Sequence, residues 1–133
     1  MATLIDTSIW VDLFRTKAPR AIKLRAQHIV DALDACLCEP IVFEVTRSAP
    51  VDQRGRVAQY FGTFPQLETP RDLWPAATGL GQRCSAAGFS PRPLDLLIVQ
   101  VCLYHEAELA TFDRDFARIA DHCPLKLRMI SRS

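Results

Sequence analysis

Four acidic residues sit where a folding chain normally places apolar ones. Asp6 ends the run MATLID, Glu44 lies inside PIVFEV, Asp95 opens PLDLLIVQVCL, and Asp113 follows ELATF. An isolated buried carboxylate is costly unless it is paired, hydrogen-bonded or bound to a metal. Together the four read as one site in which converging carboxylates hold hard divalent cations, Mg²⁺ or Mn²⁺. Zinc would require His or Cys ligands. The three histidines, His28, His105 and His122, are scattered along the chain, and none is assigned a catalytic role.

Taken singly, each acid also has a structural explanation. Asp6 can cap a helix starting near Ser8, and Asp113 can cap the helix that follows it. Asp95 suits the positive end of a helix dipole, and Glu44 can pair with Arg47 three residues on. The case for a site rests on the four occurring together.

The elements that must position these acids alternate in type. MATLID reads as a strand, followed by a helix over SIWVDLF with Ile9, Trp10, Leu13 and Phe14 on one stripe. Asp12 falls off that stripe and is expected at the surface. A second helix is expected from Ala18 to Leu33, with Pro19 in its first turn and an apolar face of Ile22, Ala26, Ile29, Val30 and Leu33. ACLC reads as a strand, and Pro40 starts a short helix carrying Glu44. Another helix spans 52–64, and LET is a candidate short strand. A helix follows from Leu73 to Ala87, weakened by Gly79 and Gly81. GFSPRP is a loop, and Pro93 begins an almost wholly apolar helix over Leu94 to Tyr104. ELATF is a strand, DFARIA a short helix, and LKLRM a last strand whose alternation suggests an edge. Such alternation implies an α/β fold, a parallel sheet of four to five strands between helical layers. In an open parallel sheet ligands bind at the carboxyl ends of the strands, where Asp6 and Asp113 are expected.

Composition narrows the classes. The 133 residues fit one domain, 1–133, and 49% of them are hydrophobic. No run of about 18 apolar residues is present, so no membrane span is expected. Met1 leads straight into strand-like residues without a charged leader, so a cytoplasmic protein is expected. The five cysteines form no zinc pattern and read as buried free thiols. Net charge is +1, with 16 basic against 15 acidic residues. Arg15, Lys17, Arg20, Lys23 and Arg25 cluster in 13–30, a stretch that holds no acid. Neutralising the four site acids would leave 16 minus 11, or +5, a balance that suits a polyanionic substrate. Alone, the basic run is equally a solvated helical face.

The LIDTSIWVDLF opening, PIVFEV, PLDLLIVQVCLYHEAELATFDRDF and the closing LKLRM together resemble the PIN-domain family. Within it they look most like the VapC-type toxin ribonucleases of toxin–antitoxin pairs. The resemblance covers nearly the whole chain and rests mainly on D-T-S-x-W combined with T-x-D-x-D-F. It implies a three-layer PIN-like sandwich, a Mg²⁺- or Mn²⁺-dependent endoribonuclease acting on RNA, a homodimer and a cognate antitoxin. Residue by residue, it makes Asp6, Glu44, Asp95 and Asp113 the catalytic metal ligands, with Asp115 assisting or structural. Thr7 or Ser8 would supply a hydroxyl near the metal. The antitoxin would lay an apolar helix in a groove near Trp10, Phe14 and Tyr60 and aim a basic side chain at the carboxylates. Gln100 departs from the family's pattern, placing a polar group in a helix expected to be buried. Two other readings stand beside this one. A phosphoacceptor receiver domain would need a second acid beside Asp6 and an aspartate ending a central strand, and neither is visible. A non-catalytic interaction module would not need all four acids.

Overall fold

A computed structural model describes residues 1–132. Four strands, β1 (Thr3–Ile5), β2 (Ala35–Cys36), β3 (Glu108–Thr111) and β4 (Lys126–Met129), form one parallel sheet in the order β2-β1-β3-β4. The helices are α1 (Thr7–Phe14), α2 (Arg20–Ala32), α3 (Glu39–Ser48), α4 (Arg54–Phe61), α5 (Leu73–Ala86), α6 (Pro93–His105) and α7 (Asp115–Ala120). Among the described residues, no helix is long and apolar enough to cross a membrane.

The expected elements form, with a few differences. Pro19 caps α2 rather than entering it, which suits a residue that lacks an N–H. The helix expected over 52–64 begins as a 3₁₀ turn, Val51–Gln53, before α4. LET is not a strand. The chain instead makes one bridge one residue earlier, with Leu37 and Gln66 as partners, between prolines 65 and 70 that limit further pairing. The fourth strand is an edge, with Lys126 and Arg128 exposed and Leu127 half-buried.

β1 and β3, the middle strands, are almost entirely buried and form the floor of the core. Trp10 anchors the end of β1: its indole N–H donates to the Ile5 carbonyl at 2.9 Å. Its ring meets Phe61 and Phe64 edge-on at 4.9 and 5.3 Å. Trp10 is fully buried and Phe14 nearly so, with Tyr60 packed on both. Trp10 and Phe14 therefore belong to the core beneath α4, while Tyr60 is only half-buried and Phe14 also borders a cavity between α1 and α3.

Two glycines have identifiable jobs. A Cβ at Gly81 would lie 3.0 Å from Leu96 Cδ1, so this glycine lets α5 and α6 approach closely. Gly88, with φ of +96°, ends α5. The Phe89 N–H donates to the Cys84 carbonyl and the Gly88 N–H to that of Ser85, a pattern that sets the exit of the loop toward α6. The loop after Gly88 therefore starts from a fixed position.

Asp12 is a correction. It is buried rather than exposed, and Arg132 Nε donates to its Oδ2 at 2.8 Å while Arg15 lies 3.7 Å from Oδ1. Arg132 also lies over the Phe112 ring at 4.9 Å. The end of the chain thus supplies the charge that lets α1 bury an acid. Arg132→Ala should cost about 1–3 kcal/mol in urea unfolding, because it strands a buried carboxylate. Adding Asp12→Ala should recover part of that loss, and strictly additive losses would show that the pair is not coupled.

Candidate active site

Asp6 directly follows β1, and its N–H donates to the Ala110 carbonyl at 2.9 Å, which extends the β1–β3 ladder by one bond. Its carboxylate is 2% exposed and caps α1 through the Ser8 N–H. Two hydroxyls also donate to Oδ2, Thr111 at 2.7 Å and Ser8 at 2.8 Å. Each hydroxyl accepts in turn from the turn after β3. The Asp113 N–H donates to Thr111 Oγ1 at 2.9 Å, and the Phe112 N–H donates to Ser8 Oγ at 3.2 Å. The carboxyl group of Asp6 and the backbone leading to Asp113 are therefore fastened to the same two hydroxyls.

Asp95 sits in the first turn of α6 and is 1% exposed, as its place in the apolar run predicts. Glu44 projects from α3 and accepts from Thr7 Oγ1 at 2.5 Å. It does not pair with Arg47 but lies 3.7 Å from Arg92. Asp113 is half-buried, and its Oδ1 accepts from the Asp115 N–H at 2.9 Å, so it also closes the turn into α7. Asp115 opens α7 and is exposed. The four acids thus come from β1, α3, α6 and the end of β3, and they gather at the carboxyl edge of the two central strands.

The residue that sequence reasoning missed is Arg92. Its Nη2 and Nε donate to Asp95 at 2.9 and 3.1 Å, its Nη1 lies 3.7 Å from Glu44, and its Nη2 lies 3.9 Å from Asp113. The available signal was its place three residues before Asp95, at the end of a proline-bracketed loop. Thr111, also unassigned from sequence, lay two residues before Asp113. Of the basic run, Arg15 pairs with Asp12 and Arg25 donates to the Ser131 carbonyl.

Burial sets the electrostatics. Desolvation lifts the Asp6 carboxyl above the usual carboxylate range, opposed by its bonds from Thr111 and Ser8. Desolvation also raises Asp95 to about 6, against the hydrogen bond and charge of Arg92, while Asp6 and Asp113 add repulsion. None of the ion pairs among the described residues involves Asp6.

The donors present are carboxylates and hydroxyls, all hard oxygens that match Mg²⁺ or Mn²⁺ in kind. A cation already lies against three of the carboxylates, in the form of the Arg92 guanidinium. As they stand, no three acidic, His or Cys side chains among the described residues close around a common point that could hold an ion. The oxygen set fits a divalent cation in chemistry and charge, and the place such an ion would take is contested by Arg92. The cysteines form no metal cluster and are free, four of them buried and Cys123 half-buried. A cavity of about 560 Å³ lies between α2 and β4 and includes none of these acids. A cleft of about 140 Å³ beside Arg92 and Asp95 is smaller but adjoins them. Gln100 is half-buried, lining a cavity with Leu73, Ala76 and Tyr104.

The architecture is that of a parallel α/β protein with an acidic site at the carboxyl edge of its sheet. The chain belongs to the PIN domain family, whose sequence profile matches residues 3–122. It is 31% identical over 121 residues to ribonuclease VapC11 of Mycobacterium tuberculosis and to VapC ribonuclease Mb1587 of Mycobacterium bovis, an alignment covering 88% of this chain and 90% of each relative. The fold is similar to that in the crystal structure of VapBC2 from Rickettsia felis bound to a DNA fragment from their promoter, with a TM-score of 0.74, 17% identity, and coverage of 97% of this chain and 98% of that one. It is also similar to VapBC-1 from nontypeable Haemophilus influenzae, with a TM-score of 0.72, 20% identity, and the same coverage of both chains.

The raised carboxyl groups have a consequence for stability. Folded Asp95 keeps its proton up to about pH 6, whereas the unfolded residue releases it near 3.8. Between those values the folded state binds more protons, so stability falls as pH rises from about 4 to about 6 and then levels. Melting temperatures in EDTA should show this fall, and Asp95→Asn should flatten the part near pH 6. Stability of the wild type rising through that window would contradict the assignment.

Proposed function

We propose that the chain is a divalent-metal-dependent endoribonuclease, the toxin of a toxin–antitoxin pair, and that Asp6, Glu44, Asp95 and Asp113 hold the metal. The gathering of four acids from separate elements at one sheet edge carries this reading, and the ribonuclease relatives support it. One or two Mg²⁺ or Mn²⁺ ions there would supply an activated water and stabilise charge on the scissile phosphate. Ser8 and Thr111 keep Asp6 oriented, and Thr7 holds the Glu44 carboxylate on the side of Arg92. Hydrolysis then needs no side-chain nucleophile, which agrees with a site built from carboxylates and hydroxyls.

The partners follow from the same reading. The substrate is RNA, in single strands or loops, and the regulator is an antitoxin that covers an apolar groove. That groove cannot be centred on Trp10, which is fully buried. A cavity of about 240 Å³ between α1 and α3, lined by Val11, Phe14, Val45, Ala49 and Pro50, is the apolar surface that remains nearby. A homodimer also belongs to this reading, as does a single domain over 1–133.

Purified protein should cleave single-stranded RNA with added Mn²⁺ and stop in EDTA. Asp95→Asn should abolish cleavage while the chain stays folded. Cleavage that survives exhaustive chelation would rule out the metal reading.

The two neighbouring aspartates should behave differently. Asp113→Ala should abolish cleavage and weaken Mn²⁺ binding. Asp115→Ala should retain most activity, with a stability loss of about 0.3–1 kcal/mol from the lost first-turn acid. Equal loss of Mn²⁺ affinity in the two variants would make Asp115 a metal ligand as well.

A further inference from the structure

Arg92 stands out because it is well engaged yet poorly enclosed. It contacts three of the four acids, and its side chain is 59% exposed. A cation held only to lock the fold would gain from enclosure, which strengthens an ion pair, whereas a half-exposed one can leave at little cost in packing. It also has somewhere to go. The adjoining cleft, which Arg92 and Asp95 both border, is also lined by Phe89, Asp115 and Arg118. Arg118 lies over the Phe89 ring at 4.2 Å, which fixes a second guanidinium on the cleft wall. Two arginines and an aromatic face suit a phosphodiester with its base, since the planar fork of arginine matches phosphate oxygens.

The same carboxylate oxygens cannot serve both a guanidinium and a divalent ion, and two cations at contact distance repel. We propose that Arg92 is a built-in counter-cation: it neutralises Glu44, Asp95 and Asp113 when no metal is bound, and on metal binding it turns into the neighbouring cleft to receive an RNA phosphate. This inference rests on the metal-dependent ribonuclease reading. It gives Arg92 two roles, the first of which is to keep the apo site from repelling itself apart. Its second role links metal loading to substrate binding, because the guanidinium is freed for RNA only when the ion has replaced it.

The test is calorimetric titration of the full-length chain with Mn²⁺, comparing wild type, Arg92→Gln and Arg92→Lys. Arg92→Gln should bind Mn²⁺ about fivefold more tightly or better, the scale of one lost ion pair. Arg92→Lys, which keeps the charge, should stay near wild type, and it separates a charge effect from damage to the fold. In cleavage assays at saturating Mn²⁺, Arg92→Gln should raise KM for RNA several-fold, with a smaller change in kcat. Unchanged or weaker Mn²⁺ binding by Arg92→Gln, with wild type binding normally, overturns the counter-cation role. Unchanged KM overturns the phosphate role. If none of the three chains binds Mn²⁺, the metal reading itself fails and this inference fails with it.

Discussion

Two hydroxyls hold this site together. Thr111 and Ser8 each donate to the Asp6 carboxylate and accept from an N–H of the turn after β3, at Asp113 and Phe112 respectively. Hydroxyls suit this place because they donate and accept at once. A valine at 111 would leave the Asp113 N–H without its acceptor and remove one of the donors to Asp6. The turn could then move, and the geometry of Asp113 with it. Asp6 also caps α1, and its N–H continues the ladder to β3. One carboxylate therefore ties a strand end, a helix start and a loop.

That arrangement concentrates negative charge where little water can screen it. The structure offsets the charge unevenly. Both acids sit at a helix N-terminus, but Asp6 is given hydrogen bonds and no counter-charge, whereas Asp95 is also given a guanidinium. The difference follows from position. Arg92 stands three residues before Asp95 at the start of α6 and reaches it locally, while Asp6 is met by the hydroxyls of Ser8 and Thr111. The result is a cluster poised to gain a further positive charge, because desolvation has already raised Asp6 and Asp95 above the ordinary carboxylate range.

Much of this was legible in the sequence because apolar runs report burial. Asp6 and Asp95 each interrupt such a run, and both are buried. The strand–helix alternation gave the parallel sheet and placed Asp6 and Asp113 at one edge. Most of what was not legible depended on partners remote in sequence. Asp12 looked like a surface charge because the residue that neutralises it, Arg132, lies 120 positions away. Trp10 looked like part of a groove because periodicity marks an apolar face without saying what covers it, and Phe61 and Phe64 cover this residue. LET had strand-like residues, yet its neighbouring prolines leave room for only one bridge. Arg92 was overlooked because loop residues carry no periodic signal, although its spacing from Asp95 on a helix start allowed the contact.

The thiols behind the site sharpen the choice of cation. Cys38 and Cys102 are buried close enough to feel the charge of Asp6. A thiolate there would turn an oxygen site into one attractive to softer metals such as zinc. Burial prevents it: desolvation pushes Cys38 up to about 12 and Cys36 up to about 11, and carries Cys102 well above its usual value. The negative charge of Asp6 adds a smaller upward push at Cys38 and Cys102. The soft donors nearest the site are thus silenced by the same low-polarity surroundings that raise the acids. Only hard oxygens are left to face an incoming ion, and under the proposed reading that favours Mg²⁺ or Mn²⁺ through the chemistry of the donors before any question of geometry arises.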